Sequence, residues 1–158
     1  EDVFLVPAFV GLGAPYWDSD CRGALFGLTR NTGPAEITKA ALESVCYQTC
    51  DLLNAISNDL GHDMLSTIRV DGGMSASNWT MQMLADLINL PVERPKNLET
   101  TALGAAYFAG MQIGFYPSTE EFAESWKTEK QFSSKMSDVK RAGKLLGWKD
   151  AVSRTLSK

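Results

Sequence analysis

The first sixty residues combine two short apolar runs with one long helical pattern. Residues 3–10 form a continuous apolar run and predict a buried strand, with Pro7 near an edge or a bend. Residues 23–29 predict a second strand, and the short connection predicts that it pairs antiparallel with the first. A long helix then begins at Pro34 and ends near Gly61. Its predicted apolar stripe consists of Ile37, Ala41, Val45, Leu52 and Ile56, broadened by Leu42 and Leu53.

The next fifty residues alternate between strand and helix patterns. Residues 68–70 predict a strand, and residues 78–89 predict a helix. Residues 91–95 predict a short exposed strand, and residues 100–110 predict a helix made of small and apolar side chains. The order strand, strand, helix, strand, helix, strand, helix predicts an α/β fold with a mixed sheet and helices packed on it.

The pattern changes after Phe115, which is followed by Tyr116-Pro117-Ser118. Residues 119–124 predict a short acidic helix, and residues 131–134 predict a loose connector. Residues 138–156 predict an amphipathic helix whose basic residues form a solvated face. The chain therefore divides into an α/β domain over residues 1–115 and a C-terminal helical extension over residues 116–158 that packs on the same domain.

Composition excludes several classes of protein. The net charge of −4 over 158 residues argues against a general nucleic-acid binder. No apolar run reaches the ~20 residues that a membrane span needs, so no membrane partner is expected. The chain begins with neither Met nor a basic leader. We therefore expect it to be the C-terminal part of a longer protein.

Three cysteines do not form a disulfide scaffold, and they favour a reducing, cytoplasmic compartment. Cys46 and Cys50 lie four residues apart on the long predicted helix. His62 is the only histidine, so the chain lacks the further ligands that a zinc site requires. We expect no metal site and buried, inert thiols.

One segment, Thr67 to Asn78, has the pattern of a ligand-binding junction. A β-branched strand leads into Asp71, then into Gly72 and Gly73, and then into a polar helix start. Glycines allow close approach of a ligand to the backbone, and the first N–H groups of a helix have no partner within it. Two interpretations remain open: the two glycines only form a tight turn, or the junction contacts a nucleotide. Asp71 is expected to orient the turn by accepting backbone N–H bonds.

Other motifs offer no chemistry of their own. The run Gly11 to Tyr16 begins like a dinucleotide fingerprint but lacks its third glycine. Its loop, with Tyr16, Trp17 and Asp18, is expected at a domain interface or beside a substrate pocket. Gly104 lies within a predicted helix, where glycine costs ~1 kcal/mol, and is expected to serve close packing.

No catalytic constellation is recognisable, because no phosphate-loop, serine-hydrolase or zinc-protease motif is present. The helix carboxylates are expected to face solvent. These are Glu36, Glu43 and Asp51.

Several long segments together are similar to the C-terminal part of the FGGY carbohydrate kinases. The segments are Val6–Asp18, Arg22–Arg30, Arg69–Gly73, Val92–Pro95 and Thr100–Tyr107, in that order. Gly23-x-Leu25-x-Gly27-Leu28, followed by Glu36-Ile37 and Ala40-Ala41-Leu42-Glu43, resembles the C-terminal signature of this family. The resemblance covers nearly the whole chain and is densest for the members that phosphorylate glycerol.

This resemblance implies part of an actin-like ATPase domain with the ribonuclease H-like fold, whose first strands would precede Glu1. It implies ATP-dependent phosphorylation of glycerol to sn-glycerol 3-phosphate, with ATP and Mg²⁺ as cofactors. The implied nucleotide contacts are Gly72, Gly73, Ser77 and Asn78. Many members have Asn where this chain has Ser77, and the shorter hydroxyl is expected to reach the nucleotide less well.

The resemblance also limits the expected activity. In this family the catalytic Asp and the glycerol pocket belong to an N-terminal domain, so we expect no catalytic residue here and no activity from the isolated chain. The implied whole protein is a cytoplasmic homo-oligomer. Two alternatives remain, a related sugar kinase acting on xylulose or gluconate, and a non-catalytic actin-like module that binds a nucleotide.

Overall fold

The computed structural model describes residues 2–60 and 65–158. Five strands are present in this part of the chain, β1 Phe4–Val6, β2 Ala24–Phe26, β3 Ile68–Arg69, β4 Val92–Pro95 and β5 Thr128–Phe132. The helices are α1 Pro34–Leu60, α2 Asn78–Ile88, α3 Thr100–Gln112, α4 Thr119–Ala123 and α5 Asp138–Thr155. A 3₁₀ turn, Gly73–Ala76, lies between β3 and α2.

The strands form two small sheets. β1 and β2 pair antiparallel with Phe4 opposite Phe26, as the short connection predicts. β3 pairs parallel with β4, and β4 pairs antiparallel with β5. The second sheet is therefore mixed, and the α/β architecture expected from the strand and helix patterns is confirmed.

Strand β5 changes the environment of its neighbour β4. The sequence pattern predicted a connector near this point, yet residues 128–132 pair with β4. Four of its five residues are exposed and only Phe132 is buried, so it lacked the apolar pattern of a strand. Because β4 now has a neighbour on each side, Val92, Arg94 and Pro95 are buried, and the prediction of an exposed strand was wrong.

Helix α1 buries a different face from the predicted apolar stripe. Ile37, Val45 and Leu52 are exposed in the structure. The buried positions are instead Ala40, Glu43, Ser44, Cys46, Tyr47 and Cys50. This face packs on α2, β1 and α5. Its buried polar groups are satisfied, since Lys144 of α5 contacts Glu43 and the Ser44 hydroxyl donates to the Ala41 carbonyl within α1. The predicted helix end at Gly61 lies outside the described residues.

Helix α5 closes the core against α1. The Trp148 and Tyr47 rings stack with centroids 5.1 Å apart. Gly147 allows α5 to approach β1 closely, because a Cβ there would lie 2.5 Å from Cζ of Phe4. Gly104 behaves differently, since a Cβ at that position would have no atom within 4 Å among the described residues. The expectation of close packing at Gly104 is therefore not met within this part of the chain.

The thiols lie inside this core. Cys21, Cys46 and Cys50 are buried and free, and burial raises the pKa of Cys46 and of Cys50 to about 12. Within residues 2–60 and 65–158, no group of three or more His, Cys, Asp or Glu side chains is placed to hold a metal ion. His62 lies outside the described residues. No helix in the described part of the chain is long and apolar enough to cross a membrane.

Candidate functional site

The Gly-Gly junction lies at the carboxyl end of β3. The Val70 N–H donates to the Glu93 carbonyl at 3.0 Å, so the parallel pairing continues just past β3. The chain then turns at Gly72, with φ 80° and ψ 172°, and its N–H donates to the Leu98 carbonyl at 2.9 Å. This backbone region is essentially restricted to glycine. Gly72 is therefore required by the local fold.

Gly73 has no comparable structural reason to be glycine. Its φ is not positive, it is exposed, and a Cβ there would have no described atom within 4 Å. A glycine that neither the backbone nor the packing requires leaves the main chain open to close approach from outside. The junction thus combines one structural glycine with one that exposes bare backbone.

The other two expected contacts stand at the start of α2. Ser77 is the N-cap, and its Oγ accepts from the Thr80 N–H at 3.2 Å and from the Thr80 hydroxyl at 2.9 Å. Asn78 is the first helical residue and is exposed. The first N–H groups of α2 have no acceptor within the helix and carry the positive end of its dipole. All four residues expected from the sequence thus lie on one strand–turn–helix segment.

Two exposed apolar side chains border this segment. Met74, within the 3₁₀ turn, is 44% exposed, and Trp79, in the first turn of α2, is 45% exposed. Neither was expected as a site residue from the sequence. They provide apolar surface beside the bare backbone of Gly73.

A buried arginine braces the turn from behind. Nη1 of Arg94 donates to the Ser75 carbonyl at 2.9 Å and to the Ala76 carbonyl at 3.1 Å. Nη2 lies 2.7 Å from Oε2 of Glu129 on β5, and Nε donates to the same oxygen at 2.8 Å. Arg94 was not expected as a site residue from the sequence. The available signal was strand alternation, because Arg94 shares a face with the buried Val92 and a buried guanidinium needs partners.

Asp71 does not have the role expected from the sequence. Its side chain is exposed, and no backbone N–H of the described residues donates to it. The Gly72 N–H bonds instead to the loop between β4 and α3, at Leu98. The turn is therefore held by main-chain and Arg94 contacts, which leaves the Asp71 carboxylate free to face solvent.

The helix carboxylates that were expected to face solvent are engaged. Glu36 accepts from the Gly33 N–H at 2.8 Å, which lowers the pKa of Glu36 and caps α1. Glu43 is 2% exposed and contacts Lys144. Asp51 accepts from Nε1 of Trp148 at 2.7 Å. All three have structural partners. The solvent-facing expectation was wrong for Glu43, which is buried, and for Asp51, whose carboxylate is partly desolvated, whereas Glu36 remains accessible to solvent.

The loop from Gly11 to Asp20 packs on the C-terminal helix. Tyr16 is half-buried and hydrogen-bonds Asp51, beside a cavity of about 370 Å³ that Trp148 also lines. Asp18 accepts from the Ser157 N–H at 2.7 Å. Trp17 is 79% exposed. Because Tyr16, Asp51 and Trp148 satisfy one another, this cluster is explained by packing, and the Gly-Gly junction remains the candidate site.

Comparison with known proteins identifies this architecture. Residues 1–113 match the model of the FGGY family of carbohydrate kinases, C-terminal domain. Glycerol kinase of Rhizobium rhizogenes is 60% identical over 159 residues, covering 99% of this chain and 32% of the relative. Glycerol kinase of Sinorhizobium fredii is 60% identical over 157 residues, with the same coverage of 99% and 32%. The chain thus spans about a third of the length of the curated relatives it matches.

Solved structures agree with this assignment. The crystal structure of Plasmodium falciparum glycerol kinase with ADP has a TM-score of 0.84 at 39% identity, covering 99% of this chain and 31% of that one. Xylulose kinase from Lactobacillus acidophilus has a TM-score of 0.69 at 24% identity, covering 96% and 30%, and this likeness shows the fold alone. The α/β fold is that of the C-terminal domain in the actin-like ATPases. The chain therefore belongs to the FGGY family of carbohydrate kinases.

Proposed function

We propose that this chain is the nucleotide-binding, C-terminal part of a glycerol kinase, which transfers the γ-phosphoryl group of ATP to glycerol and yields sn-glycerol 3-phosphate. The observation that carries the proposal is Gly73. It exposes bare backbone beside the amino end of α2 although neither its φ nor its packing requires glycine. Backbone of this kind suits an uncharged nucleoside, and the helix N-terminus nearby favours an anion.

The proposed contacts follow from this geometry. Gly72 and Gly73 form the turn, with Gly73 facing the nucleotide, and Asn78 extends from the exposed first turn of α2. Ser77 contributes mainly as the N-cap, since its Oγ is already bonded to Thr80. Met74 and Trp79 add apolar surface on which a purine ring packs.

Glycerol is the substrate that the comparisons favour. The curated relatives at 60% identity are glycerol kinases, whereas xylulose and gluconate kinases match at 24% and 23% identity. The similarity to glycerol kinases extends past the family model, over residues 114–158, because these relatives cover 99% of the chain. A related sugar kinase and a non-catalytic module remain the competing functions.

The chemistry of transfer is proposed to rest on residues outside this chain. Phosphoryl transfer needs positioned reactants, neutralised phosphates and an oriented hydroxyl. The described residues contain no group of three or more His, Cys, Asp or Glu side chains placed to hold a metal ion, so no described residue is assigned as a ligand of Mg²⁺. Mg²⁺ would supply charge neutralisation on the ATP phosphates. We therefore assign no catalytic residue here, and we expect no glycerol-dependent ADP release from residues 1–158 alone.

The organisation of the whole protein is also proposed. Residues 1–115 form the kinase domain proper, and residues 116–158 form an extension that packs on it through β5 and α5. The exposed apolar residues Ile113 and Phe115, 80% and 75% accessible, fit burial against further polypeptide in a homo-oligomer. The free cysteines fit a cytoplasmic enzyme. Light scattering of the full-length gene product tests the oligomeric state.

The activity itself is tested with the full-length gene product. ADP release is measured with glycerol, xylulose and gluconate at matched concentrations, with ATP and Mg²⁺ present. A glycerol kinase uses glycerol at a kcat/KM at least about a hundredfold above either sugar substrate. Preference for xylulose or gluconate would support the hypothesis of a related sugar kinase. ADP binding without any turnover would support the hypothesis of a non-catalytic nucleotide-binding module.

A further inference from the structure

The carbonyl groups just before α2 need a donor from outside the helix. The first backbone bond of α2 runs from the Met81 N–H to the Ser77 carbonyl at 3.0 Å. The Ser75 and Ala76 carbonyls precede that bond and receive nothing from the helix. A polar group that is buried without a partner is costly, so these oxygens require a donor from another element.

Arg94 is that donor, and contacts with two residues of β5 fix the orientation of its guanidinium group. Its Nη1 bonds both carbonyls, while Nε and Nη2 hold one carboxylate oxygen of Glu129. The guanidinium carbon also lies 5.4 Å from the centre of the Phe132 ring. Glu129 and Phe132 both belong to β5, so that strand sets the angle at which the guanidinium meets the turn.

The turn that Arg94 holds is the one that presents Gly73. Ser75 also donates its hydroxyl to the Gly72 carbonyl at 2.7 Å. The hydrogen bond from Arg94 to Ser75 is therefore linked to the glycine that begins the turn. The side chain of Arg94 lies behind the turn and is 8% exposed, whereas Gly73 is exposed on the outside. Arg94 thus acts on the position of the turn and is not itself a ligand contact.

We propose that Arg94 is a positioning residue, which together with Glu129 holds the Gly73–Ala76 turn in the geometry that receives the nucleotide. This inference rests on the proposed function of the junction. It predicts that weakening the contacts of Arg94 and Glu129 raises KM for ATP without a matching effect on KM for glycerol. A lysine retains the charge but is a point donor, so it does not reproduce the four contacts that the guanidinium makes.

The chain offers a matched control at the other end of α2. Arg141 is also largely buried, and it donates to the Asp86 carbonyl at 2.6 Å and to the Met136 carbonyl at 3.1 Å. It resembles Arg94 in burial and in bonding to carbonyls, but it lies away from Gly73. R141K therefore measures what the loss of a carbonyl-bonded arginine does through stability alone.

The test compares R94K, E129Q and R141K in the full-length gene product. For R94K, KM for ATP is expected to rise about tenfold, with kcat and KM for glycerol within about twofold of the wild type. E129Q is expected to change KM for ATP in the same direction by a smaller factor, because the carbonyl bonds survive. R141K is expected to leave KM for ATP unchanged.

An unchanged KM for ATP in R94K overturns the proposal, as does an equal rise in R141K. If R94K does not fold by circular dichroism, E129Q decides, and wild-type KM for ATP in that variant overturns the inference. Failure of the proposed function shows itself separately, as a wild-type protein that phosphorylates no glycerol. In that case the affinity for ADP, measured by calorimetric titration, replaces KM for ATP. Equal ADP affinity in the wild type, R94K and E129Q rejects the positioning role.

Discussion

The Lys144 ammonium lies 3.4 Å from both carboxylate oxygens of Glu43, and the side chains of Lys144 and Glu43 are 7% and 3% exposed. This buried ion pair joins α5 to α1. Tyr47 donates its hydroxyl to the same carboxylate at 3.3 Å, and Asp2 approaches Lys144 to 3.0 Å from the more exposed side. The C-terminal helix is therefore fixed to the domain by a buried charge pair as well as by apolar contacts.

Removing one member of this pair is expected to be strongly destabilising. Lys144→Met leaves the Glu43 carboxylate buried with its main cation gone, and such losses cost about 3–5 kcal/mol. Lys39→Met is the matched control, since Lys39 contacts the same carboxylate at 3.7 Å but is 45% exposed. The control is expected to cost less than about 1 kcal/mol. Thermal unfolding of the full-length gene product measures both, and equal shifts would contradict the assignment of Lys144 as the main partner.

Asp51 is expected to make stability fall as the pH rises. Burial raises the pKa of Asp51 above its ordinary value of 3.8, although hydrogen bonds from Trp148 and Tyr16 act in the opposite direction. A group with a raised folded pKa contributes stability that is complete below 3.8 and is lost as the pH rises through the folded pKa. Asp51→Asn, which keeps an oxygen for Trp148, should gain stability relative to the wild type as the pH rises above 3.8. A difference in unfolding temperature that stays constant over this range would contradict the prediction.

Asp18 is expected to behave with the opposite sign. Backbone and hydroxyl donors of Ser157, together with the Cys21 and Asp20 N–H groups, lower the pKa of Asp18 to about 2. Stability from such a group is present above the ordinary value of 3.8 and is lost as the pH falls through about 2. Asp18→Asn should therefore be less stable than the wild type at neutral pH. The gap should close as the pH falls below 3.8, and a gap that widens in acid would reject this role.

Ser77 allows the capping role and the reach toward the nucleotide to be separated. Ser77→Ala removes the cap on Thr80 and is expected to cost about 1 kcal/mol. Ser77→Asn keeps a capping oxygen at comparable stability and provides a longer amide. We expect it to lower KM for ATP severalfold in the full-length gene product, whereas Ser137→Ala, at the N-cap of α5, leaves KM unchanged. A KM for ATP in Ser77→Asn equal to the wild-type value would show that residue 77 does not contact the nucleotide.

The elements that local patterns determine were predicted from the sequence. The β1–β2 pairing follows from a short connection, and α2 begins at its serine cap. The Gly-Gly junction was predicted as a strand–turn–helix segment and the structure confirms that geometry, whereas its contact with a nucleotide stays a prediction.

The predictions that were wrong or missing concern residues whose partners are distant in sequence. The predicted stripe on α1 followed the apolar residues, but Glu43 is buried because Lys144, 101 positions later, neutralises it. β5 was missed because an exposed edge strand needs no apolar alternation, and its partner β4 lies about 35 residues earlier. Arg94 was missed for the same reason, since its role depends on its ion pair with Glu129 of that strand.

The central claim is that the bare backbone at Gly73 receives the nucleotide, and a titration with ADP tests it most directly. Gly73→Ala and Gly143→Ala are compared in the full-length gene product, because neither added Cβ would meet a described atom within 4 Å and neither φ is positive. We predict that Gly73→Ala weakens ADP binding about tenfold at an unchanged unfolding temperature, while Gly143→Ala binds like the wild type. Wild-type ADP affinity in Gly73→Ala would contradict the account.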